Sequence, residues 1–481
     1  MKLINPLVVL RILSTLLLLE TVSYLICLPV AFIYGESSFP FVLSSLITGT
    51  LALAFYLISG DTGFDKITSR EGFLSVALGW LIFSGLGALP YVISGAIPSF
   101  VDALFESTSG VTTTGASVVG NVEALPYSIL FWRSLTHWIG GLGIIVLVII
   151  ILPSLKITRF QFLGLESSLK EKIHPKTKAV GLRLMYIYLT ITILETLLLA
   201  AGGMDVFDSI CHSFGTVATG GFSTKNSGIA HYSAYIQYII ALFMFLSGVS
   251  FVIYYYVIKL NFNKVKHNEE LWFYLAVTII AGATATSLLF TKTSMPFEEA
   301  FRYGFFQVIS MMTTTGYANN DYLIWPSAGL FLIFILLFAG ASTGSTTGSV
   351  KMARHLVVIK SIRNAFVRLI HPNAVSPVRI NDKPLSEKNT ITILSFVILY
   401  IFIFIIGTVV VISTGTDPLT GASAVAASLG NVGPGLESIG PMLNYFHFSD
   451  FNKLFMSLLM IIGRLEIFTI YILFTRSFWR L

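Results

Sequence analysis

Val101-Asp102-Ala103-Leu104-Phe105-Glu106-Ser107-Thr108-Ser109-Gly110 runs into Thr113-Thr114-Gly115-Ala116, a short helix-like stretch feeding a Thr-Thr-Gly turn. The turn returns as Ala218-Thr219-Gly220-Gly221, as Thr314-Thr315-Gly316-Tyr317 and as Asn431-Val432-Gly433-Pro434. Its central glycines, Gly115, Gly220, Gly316 and Gly433, recur about every hundred residues, which marks a large internal repeat. Each copy lies between two long apolar runs. The helix-like stretch of the first copy is about three turns long, too short to cross a bilayer. It begins near Pro98 and Asp102, and the later ones at Asp205/Asp208, Pro296/Glu298 and Asp417/Pro418; acidic residues suit a helix N-terminus.

A half-spanning helix of this kind aims its carbonyl end at the centre of the assembly, where a cation is favoured. Non-helical backbone at membrane depth is tolerated only when buried in protein or lining a watery path. The loops meet that condition by facing one another, and loops converging on one axis present rings of carbonyl oxygens. Such rings replace the hydration shell of a potassium ion. Glycine at the third position lets a carbonyl turn inward without the strain other residues would suffer. The preceding threonines are stiff and add hydroxyl oxygens. A lone Thr-Thr-Gly run reads equally well as a membrane turn or a packing site; matched copies favour a monovalent cation pore built from one chain.

Composition agrees with a membrane setting. Of 481 residues, 55% are apolar and 11% charged, and the mean hydropathy is +0.82. Apolar runs of spanning length fall at 7–34, 39–60, 73–97, 128–153, 180–203, 233–259, 270–291, 327–360, 390–413 and 452–476. The first follows Lys2 but is too long for a signal peptide and lacks a cleavage pattern, so it reads as retained. The chain divides into a two-helix unit at 1–70 and pore repeats at 71–155, 156–262, 263–370 and 371–481, the third with an interrupted second helix.

Basic residues fix the orientation. They crowd the loops from Lys156 to Arg183 and from Lys351 to Lys388, with smaller groups at Lys66/Arg70, Lys259/Lys264/Lys266 and Arg476/Arg480. All fall on one side of an even-numbered topology, the cytoplasmic side, together with both termini. The opposite face carries Asp102, Glu106, Glu123, Asp205, Asp208, Glu298, Glu299, Asp321, Asp417, Glu437 and Asp450 against few basic residues such as Lys225 and Lys292. We read it as an acidic vestibule or, alternatively, as solvated loops. The net charge of +6 thus reflects membrane orientation, not nucleic-acid binding. Cys27 and Cys211 are the only cysteines, which excludes a disulfide framework and a cysteine metal site, and no signature of hydrolytic catalysis occurs.

The eighth run contains Gly340-Ala341-Ser342-Thr343-Gly344-Ser345-Thr346-Thr347-Gly348-Ser349. Glycine weakens helices and serine or threonine competes for the backbone, so the helix should break here. The other reading is a small-residue packing face. A phosphate loop is excluded because no lysine directly follows a glycine and no strand–helix context surrounds it. Arg464 lies in the middle of the last run, where a charge is costly and faces a bundle interior or a wet cavity. Glu466, two residues on, points away from it. An ion pair of Arg464 with Glu195 or another buried acid is the alternative; Glu20 and Glu195 themselves carry no assigned role.

The motifs together resemble the TrkH/Ktr (Trk/Ktr/HKT) superfamily of potassium transporters over essentially the whole chain. The two leading helices favour its TrkH branch. The resemblance implies an all-α polytopic fold with ten transmembrane helices and four re-entrant pore helices, in span–pore–span repeats around a single pseudo-fourfold pore. It implies a non-enzymatic potassium uptake pore whose selectivity filter is the set of turn residues quoted above. Gly340–Ser349 would be an intramembrane gate beneath that filter, and Arg464 would obstruct cations electrostatically. Gly115 argues for potassium over sodium, since members with serine in the first loop tend toward sodium. Selectivity should be looser than in tetrameric channels, whose second filter glycine is missing here. Potassium is the substrate and rubidium its surrogate; no cofactor is bound, and nucleotide belongs only to a partner. That partner would be a cytosolic TrkA-type NAD/ATP-binding subunit meeting the basic loops at 154–183 and 351–388 of a homodimer in a bacterial inner membrane. A proton- or sodium-coupled symporter using Glu20 or Glu195 is one alternative, and an assembly subunit with a vestigial pore is another.

Overall fold

The computed structural model describes residues 4–60, 62, 68–146, 177–373 and 376–480. It is helical, with one small hairpin pairing Arg379–Ile380 with Lys383–Pro384 among the described residues. Two long helices, Pro6–Ile33 and Phe39–Ser59, lead the chain. Asn5 caps the first by accepting from the Leu7 amide at 3.1 Å. Glu71 ties that start to helix Ser69–Leu86, accepting from the amides of Asn5 at 2.8 Å and Thr68 at 2.7 Å.

Four short helices follow at intervals: Phe100–Val111, Val206–Val217, Phe297–Met312 and Pro418–Gly430. Ser99, Asp205 and Asp417 cap three of them through their side chains. At 12 to 16 residues they reach about 18–24 Å, short of the roughly 30 Å hydrocarbon core. Each leads into a loop and then into another helix: Tyr127–Val146, Ala234–Ser247, Ser327–Leu336 and Asp450–Arg464. Helix Tyr127–Val146 packs on the second short helix and Ala234–Ser247 on the third. Helix Asp450–Arg464 packs on the first, which joins the end of the series to its start.

Among the described residues, six helices are long and apolar enough to cross a membrane, or eight if each bent pair forms one span. Helix Glu387–Ser413 shows why lipid is the fitting surround. It buries Ile393, Phe396, Tyr400, Gly407 and Val411 along one stripe while Ile398, Phe402, Ile405 and Val409 stay exposed. Several expected apolar runs are not single helices. The run 233–259 turns by 92° at Gly248–Ser250, and 452–476 turns by 104° after Arg464. The run 327–360 stops at Leu336 and resumes as Met352–Ile370, as its glycine-rich middle requires. The end of the run 128–153, the 155/156 boundary and most of the basic segment Lys156–Arg183 lie outside the described residues, as does Lys66.

Candidate functional site: a ring of four loops and the segment beneath it

The short helices end alike. Thr113, Thr219, Thr314 and Asn431 take left-handed backbone with φ of 52°, 55°, 53° and 53°. Two residues later Gly115, Gly221, Gly316 and Gly433 have φ of 81°, 83°, 78° and 96°, which favours glycine. Between them, the amides of Thr114, Gly220, Thr315 and Val432 donate back to Ser109, Gly215, Ser310 and Ala427 at 2.7–2.9 Å. This pattern corrects the second copy by one residue. Its third-position glycine is Gly221, not Gly220; Gly220 matches Thr114, and Phe222 takes the place of Ala116 and Tyr317. Ala218 falls one position before the turn.

The loops form a closed ring. A Cβ placed on Gly115 would lie under 3.0 Å from the Gly220 carbonyl oxygen. The same holds for Gly221 against Thr315, Gly316 against Val432, and Gly433 against Thr114. Each glycine therefore faces the carbonyl that precedes the next loop's glycine, in chain order and back to the start. Those carbonyls, of Thr114, Gly220, Thr315 and Val432, belong to buried residues and accept no hydrogen bond among the described residues. Buried carbonyls are normally paired, so a matched unpaired set is suited to an external cationic partner.

The threonine hydroxyls are used differently. Thr114 and Thr315 hydroxyls meet those of Thr112 and Thr313 at 2.7 and 2.8 Å, and Asn431 Nδ2 donates to Thr114 Oγ1 at 3.0 Å. Outside the ring, tyrosines tie neighbouring repeats. Tyr317 OH donates to the carbonyls of His212 and Phe222 at 3.2 and 3.1 Å, and Tyr322 OH to that of Gly435 at 2.6 Å. The Tyr445 amide donates to Ser117 O at 2.8 Å, and Lys453 pairs with Asp102 at 2.6 Å.

The Gly340–Ser349 segment lies against the helix ends under this ring. Thr346 Oγ1 donates to Val217 O at 3.1 Å and receives Thr219 Oγ1 at 3.2 Å. The Gly348 amide donates to Thr314 Oγ1 at 2.7 Å, and a Cβ on Gly348 would meet the Gly430 carbonyl under 3.0 Å. Thus the segment touches the second, third and fourth repeats. Arg464 adds the first: it donates to Thr346 O at 2.7 Å and to Gly140 O at 3.2 Å. Arg464 is 2% exposed and pairs with no carboxylate among the described residues, so the alternative reading, an ion pair with Glu195 or another buried acid, finds no support there. Glu195 is buried and pairs with no basic group among the described residues, while Glu20 accepts from Tyr24 OH at 2.8 Å.

Sequence reasoning passed over the groups that hold this segment. Glu270 Oε1 accepts from the amides of Thr343 at 2.6 Å and Ala353 at 3.1 Å, one near each end of the segment. Lys351 donates to the carbonyl of Thr347 and to its hydroxyl at 2.9 Å. Arg354 pairs with Glu466. Lys351 and Arg354 were expected on a cytoplasmic basic surface but are 6% and 5% exposed. Their signal was position: they directly follow the glycine-rich run. A cavity bounded by Lys351, Arg354, Phe396, Arg464 and Glu466 opens beside the segment.

The acidic face is also less bare than its charge list suggests. Glu106, Asp208, Glu298 and Asp102 are paired with Arg133, Lys225, Arg302 and Lys453. Asp205, Asp321 and Asp417 cap helices. Much of that charge is spent locally and adds little to steering.

The cation transport protein family model TrkH matches residues 47–480. The Trk system potassium uptake protein TrkH of Halomonas elongata is 35% identical, the match covering 98% of this chain and 99% of that one. TrkH of Escherichia coli K12 is 36% identical over 86% of this chain and 87% of its own. The crystal structure of the potassium transporter TrkH from Vibrio parahaemolyticus superposes with a TM-score of 0.91 at 32% identity, covering 99% of this chain and 100% of that one.

Proposed function

The chain belongs to the TrkH family of cation transport proteins, and on that premise we propose that it takes up potassium through one pore lined by the four loops. It is a membrane protein and not an enzyme. The observation that carries the reading is the ring of unpaired carbonyls of Thr114, Gly220, Thr315 and Val432, each against the next loop's glycine. Backbone oxygens so placed can replace a dehydrated potassium ion's water shell. The polypeptide then comprises ten spans and four re-entrant pore helices about a pseudo-fourfold axis, with the bent and interrupted runs counted as spans. Thr113–Ala116, Thr219–Phe222, Thr314–Tyr317 and Asn431–Pro434 form the filter.

Gly340–Ser349 and Arg464 act as the gate, because together they bond to all four repeats under the ring. Its release falls to a cytosolic TrkA-type NAD/ATP-binding subunit docking on the basic loops of a homodimer in the bacterial inner membrane, with both termini cytoplasmic. Rubidium flux into liposomes holding only this chain, competed by potassium and by sodium, tests the pore. Folded protein without flux would reject it. One observation favours proton coupling instead: the buried Glu195 carboxyl, which pairs with no basic group among the described residues. Large unitary currents in a planar bilayer would exclude strict coupling.

A further inference from the structure

The junction between the first and second loops is fastened by a charged pair, Arg133 and Glu106, set on the first repeat. Arg133 lies on helix Tyr127–Val146 and is 2% exposed; Glu106 lies on helix Phe100–Val111 and is fully buried. Arg133 Nε donates to Glu106 Oε1 at 2.8 Å, and Nη2 approaches the same oxygen at 2.7 Å. Its remaining donors reach both loops: Nη2 to Ser117 Oγ at 3.2 Å in the first, Nη1 to Ser223 O at 3.2 Å in the second. The guanidinium also sits 4.1 Å over the ring of Phe222, the residue after Gly221. Glu106 completes the arrangement by accepting from Ser117 Oγ at 3.0 Å and the Val118 amide at 2.9 Å. One turn along the same helix face, His137 stacks on Phe222 at 4.1 Å and receives its amide at 3.2 Å.

Phe222 is thereby held by two side chains of the first repeat, and Ser117 by both members of the pair. The residues fixed in this way directly flank Ala116 and Gly221, and so set how far Gly115 stands from the Gly220 carbonyl. A guanidinium fork can bridge a carboxylate and two further acceptors at fixed angles; an ammonium cannot. We propose that Arg133, oriented by Glu106, is a positioning residue that sets ion specificity by fixing the spacing between the first and second loops. The inference rests on reading those loops as the potassium filter.

The test compares wild type with Arg133→Lys and Ser117→Ala in liposomes, measuring rubidium flux and its competition by potassium and sodium. Ser117→Ala leaves Arg133 and Glu106 paired, so it strands no charge and is the safe variant where Arg133→Lys does not fold. Both folded variants should still conduct, while the potassium-over-sodium preference falls roughly fivefold, the scale of one lost charge-assisted hydrogen bond. An unchanged preference in folded Ser117→Ala and Arg133→Lys overturns the proposal and leaves the pair a structural brace. Absence of flux from folded wild-type protein would instead reject the filter reading on which it stands.

Discussion

Gly115 faces the carbonyl oxygen of Gly220 so closely that a Cβ would come under 3.0 Å from it, while its own φ is 81°. A side chain there must both strain the backbone and push the neighbouring loop. The left-handed conformation alone costs about 1–2 kcal/mol, and the push moves a carbonyl of the ring. Gly115→Ser should therefore lower the potassium-over-sodium preference on the order of tenfold. Rubidium uptake competed by each cation is the measurement; an unaltered ratio at normal folded yield would remove Gly115 from the filter. Gly221→Ala should behave likewise, because Gly221 occupies the matched position.

The segment beneath the ring is expected to occlude. Deleting several residues within Gly340–Ser349 removes the Thr346 and Gly348 bonds to the loops above. Basal flux should rise roughly tenfold or more if that closure raises the barrier by about 1.4 kcal/mol. Flux is normalised to folded protein. A lower yield with no leak would mean the segment only packs helices.

Glu270 anchors both ends of the segment through the Thr343 and Ala353 amides. Glu270→Ala strands two buried donors, at about 1–3 kcal/mol each. The closed arrangement should lose more than the released one, so leak flux should increase. Glu270→Gln keeps an acceptor oxygen and should sit near wild type. Equal flux from all forms would mean that the anchor does not bear on closure.

The repeat and the break at Gly340–Ser349 were legible because their chemistry is local: threonine and glycine at a turn, and small polar residues where a helix cannot persist. The register of the second copy was not, since Gly220 and Gly221 are adjacent and only the folded backbone, left-handed at Thr219 and at Gly221, distinguishes them. Bends at Gly248–Ser250 and after Arg464 escaped too. They arise from contacts distant in sequence, such as the Ser342 amide on Gly248 O and the Arg354–Glu466 pair next to the left-handed Glu466 and Ile467. Charge lists mislead for the same reason. Glu106 looked like an exposed acid until Arg133, 27 residues on, proved to be its partner.

Arg464 is held by carbonyl oxygens, Thr346 and Gly140, and not by a carboxylate among the described residues. Replacing it with alanine therefore strands no buried anion, and the variant should fold. In a cavity with an effective dielectric near 20, its charge opposes a cation a few ångströms away by about 3–4 kcal/mol. Arg464→Ala should accordingly raise rubidium flux by one to two orders of magnitude, since each ~1.4 kcal/mol is tenfold and part of the barrier belongs to the segment it bonds. The ring of loops lies above and keeps its own geometry, so much of the ion preference should persist. Arg464→Lys retains the charge without the fork and should keep most of the obstruction. The comparison is flux per folded protein for the three forms. Indistinguishable values would take Arg464 out of the permeation path.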